Sequence, residues 1–142
     1  MRERRRRGQA GVTLIEMLVV VTIIALFAAL VGPRVLRQAD GARVTATRAQ
    51  IESFLTALGT YKLNTGVYPT TEQGLDALRR QPENTPQWAG PYLPKEVPND
   101  PWGTPYVYRY PSEQGDEPEI ISYGADRQPG GEGINADIIS WK

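Results

Sequence analysis

Hydrophobic positions form one long run near the start of the chain. Residues 12 to 32 read VTLIEMLVVVTIIALFAALVG and contain a single charged side chain, Glu16. These 21 residues are close to the roughly 20 that a helix needs to cross the hydrocarbon core of a bilayer. Gly32-Pro33 follows, and because proline removes a backbone donor and disfavours helical geometry just before it, we expect a kink or local melting there.

Beyond the proline, apolar residues recur at the spacing of one helical face, and polar residues occupy the other side. The apolar positions are Ile51, Phe54, Leu55, Leu58 and Tyr61. Asn64-Thr65-Gly66 predicts the end of this helix, since asparagine and glycine adopt the left-handed turn that closes helices. A helix over residues 12 to 63 is about 78 Å long at ~1.5 Å per residue, so its second half is expected to cover a sheet.

The rest of the chain predicts a small head with a short helix and a sheet. Thr70-Thr71-Glu72-Gln73 predicts a capping box, in which the Thr70 hydroxyl accepts from the Gln73 amide, and a short second helix follows. Three segments are rich in Ile, Val, Tyr and Trp and are separated by Pro/Gly turns, which is typical of antiparallel strands. They are residues 106 to 110, 119 to 123 and 137 to 141.

Seven prolines lie between residues 82 and 105, and they exclude a regular helix or a central strand there. Trp88, Tyr92, Trp102 and Tyr106 interleave with them. We expect these aromatic side chains to anchor the segment on the head. The alternative is a proline-rich docking motif, but such ligands are exposed and poor in aromatics of their own.

Composition narrows the chemistry. The chain has 142 residues and contains no cysteine and no histidine, which excludes disulfides, thiolate metal sites and imidazole acid-base catalysis. Asp126 with Glu132 or Asp137 could imitate the acid pair of a membrane-anchored enzyme. This is the weakest of the function classes, because no nucleophile-base pair or cofactor motif accompanies these carboxylates. We therefore expect no enzyme.

Charge is divided unevenly along the chain. Five arginines and one glutamate give the first eleven residues a net charge of +4, and the remainder carries −4 because the whole chain sums to zero. Positive charge confined to a short tip makes nucleic acid an unexpected partner. The same arginines place the N-terminus in the cytoplasm by the positive-inside rule, and everything after Pro33 then faces outward.

Glu16 is the residue that a plain membrane anchor does not explain. A carboxylate costs on the order of 2.5–3.5 kcal/mol at the centre of a bilayer, and such residues are usually paired or functional. A cleaved secretory signal is a further alternative, but no A-x-A cleavage site follows the apolar run. If the chain were cut after Gly11, Val12 would carry a free amine that Glu16 of a neighbouring subunit neutralises.

Gly11-Val12-Thr13-Leu14-Ile15-Glu16 resembles the leader-peptidase motif of type IV prepilins. The resemblance implies cleavage after Gly11 by a prepilin peptidase, N-methylation of Val12 and extraction from the membrane into a helical filament. Thr13, Glu16 and Pro33 are then assembly residues. Val12 departs from the family pattern, in which this position is most often Phe.

The head is similar to the major, G-type pseudopilins of type II secretion systems. YPTTEQGLDAL (residues 68 to 78), WAGPYL (88 to 93), NDPWGTPYVY (99 to 108) and residues 122 to 141 carry the resemblance. It implies an α+β, type IV pilin-like fold, in which a long N-terminal helix packs on a head with a short helix and a three-stranded antiparallel sheet. The domains are then a cleaved basic leader (1–11), a transmembrane and filament-core helix (12–33) and a periplasmic head (34–142).

The function that this resemblance implies is that of a filament subunit. The protein is expected to reside in the inner membrane with a periplasmic head, in contact with membrane lipid, and then to polymerise with itself into a pseudopilus. Prepilin peptidase, minor pseudopilins and the inner-membrane assembly platform are the implied partners. The filament would push folded exoproteins through the outer-membrane secretin. The alternative is a type IV pilus subunit for adhesion or DNA uptake, although typical pilins have a C-terminal disulfide loop.

Residues 123 to 137 run from the end of the second predicted strand to the start of the third, and they are called the C-terminal loop below. Its oxygen donors and glycines suit either a solvated acidic turn or a Ca²⁺ site. Resemblance implies structural calcium, with the side chains of Asp126 and Asp137 and the backbone carbonyls of Tyr123 and Gln128 as ligands. Some relatives have two adjacent aspartates at the end of a shorter loop, where this chain has Ala136-Asp137. Glu132 or Asn135 would fill the resulting gap.

Overall fold

The structure is a computed structural model and describes residues 11–142. The predicted leader lies outside the described residues except for Gly11. The chain divides into two compact units, with the boundary between Gln38 and Ala39. Each unit is described by itself.

One long helix, α1, runs from Leu14 to Thr65. It begins after Thr13, whose side chain caps it, and it ends where the sequence predicts, since Gly66 has a φ of 84°. Pro33 lies inside this helix, so the prediction of local melting at Gly32-Pro33 is wrong. Proline removes only one donor of the ladder, the bond to the carbonyl four residues earlier, and the flanking turns continue the helix.

The first unit presents its apolar side chains outward. Every residue from 12 to 31 is exposed. Among residues 11–142, α1 is the one helix with a stretch long and apolar enough to cross a membrane. An apolar surface of this extent requires a cover of lipid or protein.

The second unit contains a hydrophobic core. One face of α1 supplies Phe54, Leu58 and Tyr61, which are 0–1% exposed, as the helical spacing predicts. Other core residues come from a 3-10 helix, from the proline-rich segment and from the sheet. They are Leu75, Ala77, Leu78, Leu93, Tyr108, Ile120 and Ile138.

A three-stranded antiparallel sheet forms the other layer of the head, in the order β1-β2-β3. The strands are β1 Val107–Arg109, β2 Glu119–Ser122 and β3 Ile138–Ile139. Tyr108 pairs with Ile120 and Ser122 pairs with Ile138. The predicted strands are confirmed, but each is shorter than its predicted range. Pro105 and Pro111 flank β1.

The two hydrogen bonds of the predicted capping box are present, but they lie in the turn before the short helix, whose own N-cap, Gly74, has no side-chain cap bond. The Gln73 amide donates to Oγ1 of Thr70 at 3.3 Å, and the Thr70 amide donates to Oε1 of Gln73 at 2.9 Å. The short helix that follows is a single 3-10 turn, Leu75–Leu78. Gly74 precedes it with a φ of 60°, a left-handed conformation that glycine adopts without steric cost.

The proline-rich segment is ordered by its aromatic side chains, as predicted. Nε1 of Trp88 donates to the Ala77 carbonyl at 2.8 Å. The Tyr106 ring packs edge-on against Phe54 with 5.1 Å between ring centroids. Trp88, Tyr92, Trp102 and Tyr106 all pack against the core while partly exposed. This packing favours a structural role for the segment over a proline-rich docking motif.

Candidate functional site

The first candidate site is the start of α1. The Glu16 amide donates to Oγ1 of Thr13 at 3.3 Å, so Thr13 is the N-cap of the helix. Glu16 lies in the first turn, where the helix dipole favours a negative charge. The sequence signal for this role of Thr13 is the Thr-x-x-Glu spacing of a capping box.

Glu16 is exposed, and the salt bridges within residues 11–142 involve other carboxylates. Any cation that pairs with Glu16 therefore lies outside the described residues or in another molecule. Gly11 and Val12 are exposed as well. The predicted cleavage site is thus accessible, next to a carboxylate without a partner in this part of the chain.

The second candidate site is the C-terminal loop. It contains a second 3-10 helix, Gly133–Asn135, and the Ala125 amide donates to the Ile134 carbonyl at 3.0 Å. Gly124 has a φ of 63°, and a Cβ atom there would lie 2.7 Å from the Ile134 carbonyl oxygen. Gly124 is therefore required both by its left-handed backbone and by this close approach.

The two aspartates of the loop differ in their surroundings. Asp126 is exposed, and its Oδ1 accepts from the Gln128 amide at 3.1 Å. Asp137 is partly buried, and its Oδ2 accepts from the Gly130 amide at 2.8 Å. The other oxygen of Asp137, Oδ1, is buried without a hydrogen-bond partner. A buried carboxylate oxygen without a hydrogen-bond partner is a ligand of the kind that Ca²⁺ prefers, so the loop fits this ion.

The remaining predicted ligands lie along the same loop. Gln128 and Glu132 are exposed, whereas Tyr123 and Asn135 are partly buried. Within residues 11–142, no three acidic, histidine or cysteine side chains converge into a metal-binding group. A calcium ion here therefore needs backbone carbonyl or amide oxygens beside the carboxylates. The ligand set stays a prediction.

A buried aspartate next to this loop was missed from the sequence. Asp100 is 4% exposed and lies in residues 99–105, here called the aspartate turn. Its Oδ1 accepts from the amides of Trp102 and Thr104 at 3.1 and 2.8 Å. Its Oδ2 accepts from the Ser122 hydroxyl at 2.6 Å. The turn residues Asn-Asp-Pro-Trp-Gly-Thr were the available signal, since aspartate side chains often bond the backbone two residues on.

The fold defines a class of protein. An exposed apolar helix that continues into a head of helix and antiparallel sheet is the type IV pilin-like arrangement that the N-terminal motif implies. Two family models match the chain accordingly. "Type II secretion system (T2SS), protein G" covers residues 34–141, and "Prokaryotic N-terminal methylation motif" covers residues 6–32.

Known relatives agree with these matches. The chain is 44% identical over 140 residues to the type II secretion system core protein G of Pseudomonas aeruginosa, covering 96% of this chain and 98% of the relative. It is 40% identical over 141 residues to the protein of the same name from Vibrio cholerae, covering 97% and 95%.

A solved structure is also similar. It is the crystal structure of the major pseudopilin from the type 2 secretion system of enterohaemorrhagic Escherichia coli, with 32% identity and a TM-score of 0.58 over 73% of this chain and 90% of that one. The chain belongs to the type II secretion system protein G family. Membership confirms the predicted family and favours the pseudopilus subunit over the type IV pilus subunit.

Proposed function

We propose that this chain is a pseudopilus subunit that is stored in the inner membrane, matured by prepilin peptidase and polymerised through residues 12–33. Cleavage after Gly11 frees the amine of Val12, which is then methylated. The N-terminus lies in the cytoplasm before cleavage, and the head lies in the periplasm. The assembled filament pushes folded exoproteins through the outer-membrane secretin.

The observation that carries this proposal is the exposed apolar stretch of α1. Residues 12 to 31 are all exposed. In the membrane, lipid tails cover them, and the helix bonds most of its backbone polar groups internally. In a filament, the same side chains pack against the helices of neighbouring subunits. One surface thus serves two environments, which is what a subunit that leaves the membrane requires.

Glu16 determines how neighbouring subunits align when they leave the membrane for the filament. It sits in the first helical turn, four residues after Val12. The amine of Val12 is a cation about 6 Å from Glu16 along the helix axis, so an axial shift of a newly added subunit by that distance brings the two charges to one depth. Their pairing lowers the cost of a lone carboxylate in an apolar medium. Pairing between subunits therefore favours the axially shifted arrangement of a filament.

The proposed partners follow from this cycle. Prepilin peptidase acts on Gly11 and Val12, and copies of this chain surround residues 12–33 in the polymer. Minor pseudopilins and the inner-membrane platform meet the head and the helix during assembly. The energy source lies in another protein, because the sequence contains no phosphate-binding G-x-x-x-x-G-K-[ST] loop.

The test is Glu16→Gln, which keeps the size of the side chain and removes its charge. The matched control is Glu52→Gln, an exposed carboxylate on the same helix within the head. We expect Glu16→Gln to be cleaved after Gly11 yet to form few pseudopili, seen by electron microscopy of cells that overproduce the chain. Pseudopili of Glu16→Gln as abundant as those of the wild type and the control would overturn the proposed pairing.

We further propose that the C-terminal loop holds one structural Ca²⁺. Asp137, through its unpartnered Oδ1, and Asp126 would supply the carboxylates. Tyr123 and Gln128 would supply carbonyl oxygens, with Glu132 or Asn135 completing the set. The ion supplies positive charge that relieves the repulsion between the loop carboxylates and offsets the entropy of ordering a glycine-rich segment. A fixed loop would give every head the same surface for assembly.

A further inference from the structure

The C-terminal loop is joined to the aspartate turn directly at one point and through Ser122 at a second. Nη2 of Arg127 donates to the carbonyl oxygen of Trp102 at 3.0 Å. Ser122, at the end of β2, donates to Oδ2 of Asp100 and accepts from the Gly124 amide at 3.4 Å. The first link starts from the middle of the loop, and the second starts from its base.

The aspartate turn is held together by its own hydrogen bonds, so a restraint on Trp102 also restrains the other residues of the turn. The Asp100 amide donates to the Thr104 carbonyl at 2.8 Å, and the Gly103 amide donates to the Asp100 carbonyl at 2.9 Å. The Asp100 carboxylate bonds the amides of Trp102 and Thr104 in addition. These bonds hold the Trp102 carbonyl in a defined position, where it can serve as a fixed acceptor.

Arg127 itself has an unfavourable backbone conformation. Its φ is 62°, in the left-handed region where a side chain with a Cβ atom is uncommon. The flanking residues of the loop that adopt positive φ, at 124, 130, 131 and 133, are glycines. The charge-assisted hydrogen bond from Arg127 to the Trp102 carbonyl offsets part of the cost of this backbone conformation.

We infer that Arg127 is a positioning residue that makes the C-terminal loop and the aspartate turn order as one unit. The inference rests on the proposed calcium site for its functional consequence. An ion that orders the loop also holds Arg127 in place, and Arg127 then restrains the turn. Because coupling between two sites is reciprocal, loosening the contact at Trp102 must also weaken calcium binding.

The link is tested on the full chain in detergent by amide hydrogen exchange, in buffer with calcium and in buffer with a chelator. Arg127→Met keeps the length and removes the donor, Arg127→Lys restores a cationic donor, and Arg80→Met is the control at an arginine outside both segments. We expect Arg127→Met to speed exchange in residues 99–105 by about fivefold, and Arg127→Lys to restore much of the protection. Wild-type exchange at residues 99–105 in Arg127→Met would overturn the inference.

The functional consequence is tested by measuring the calcium affinity of the same proteins in a calorimetric titration. We expect Arg127→Met to weaken binding about fivefold relative to the wild type and Arg80→Met, with Arg127→Lys in between. Equal affinities in the wild type and Arg127→Met would overturn the coupling while leaving the calcium site in place. A wild-type chain that binds no calcium would instead refute the proposed site, and the exchange experiment would still decide whether Arg127 links the two segments.

Discussion

The Ser122 hydroxyl donates a hydrogen bond to Oδ2 of Asp100 at 2.6 Å, and both residues are buried. The bond joins the end of the central strand β2 to the turn that precedes β1. Asp100 also accepts from two backbone amides, so a single carboxylate holds its own turn together and ties that turn to β2. Such a buried charge is tolerated because its oxygens are satisfied by hydrogen-bond donors.

Replacement of Asp100 should therefore destabilise the head. Asp100→Ala leaves the amides of Trp102 and Thr104 and the Ser122 hydroxyl without their acceptor, and the expected loss is about 3 kcal/mol in the free energy of unfolding. Asp76→Ala, at an exposed aspartate of the first 3-10 helix, is the control and should change stability by less than ~0.5 kcal/mol. Urea denaturation of the two variants measures both values. A loss below about 1 kcal/mol for Asp100→Ala would contradict this role.

Tyr106 should make stability depend on alkaline pH. Burial, together with the nearby charge of Asp100, raises the pKa of its phenol from 10.0 to about 12. Because the folded-state pKa is raised, the stabilisation is fully present below about pH 10 and is lost as the pH rises through about 12. Urea denaturation should show stability falling across this window.

The matched variant for that measurement is Tyr106→Phe, which keeps the ring on Phe54 and removes the titrating group. Other groups also titrate in this range, so the informative quantity is the difference in slope between the wild type and the variant. The decline should be less steep in Tyr106→Phe. Identical slopes would show that this phenol is not held neutral by the fold.

Calcium should raise the melting temperature of the head through Asp126 and Asp137. At a free calcium concentration of about 100 times the Kd, a single site stabilises the folded state by about 2.7 kcal/mol. Asp126→Ala should lose most of this gain, whereas Asp116→Ala, an exposed aspartate in the turn between β1 and β2, should keep it. Thermal melting with calcium and with a chelator measures the difference. Equal melting temperatures under the two conditions in the wild type would refute the calcium site.

The main elements of the fold could be predicted because each had a local cause. The apolar face of α1 has a period that only a helix satisfies, and Gly66 ends it with a left-handed residue. The capping box at Thr70 and the strands between prolines are similarly encoded within a few residues. Local signals of this kind require no knowledge of the tertiary structure.

Features that depend on contacts between distant segments could not be predicted. Asp100 and Ser122 are far apart in sequence, and no periodicity relates them. Arg127 reads as a surface cation in the sequence, and its bond to Trp102 exists only once the C-terminal loop is folded. The error at Pro33 had a different cause, since the residue types disfavour a helix there while the turns on either side sustain it.

If Val12 becomes the first residue of a subunit that polymerises, the mass of the N-terminal peptide must show it. The protein is purified from its native membrane, and the mass of its N-terminal peptide is determined. We expect a peptide that begins at Val12 and carries one methyl group on its amine. A peptide that retains Met1 or the arginines of the leader would contradict it, because Glu16 would then have no free amine at Val12 to neutralise.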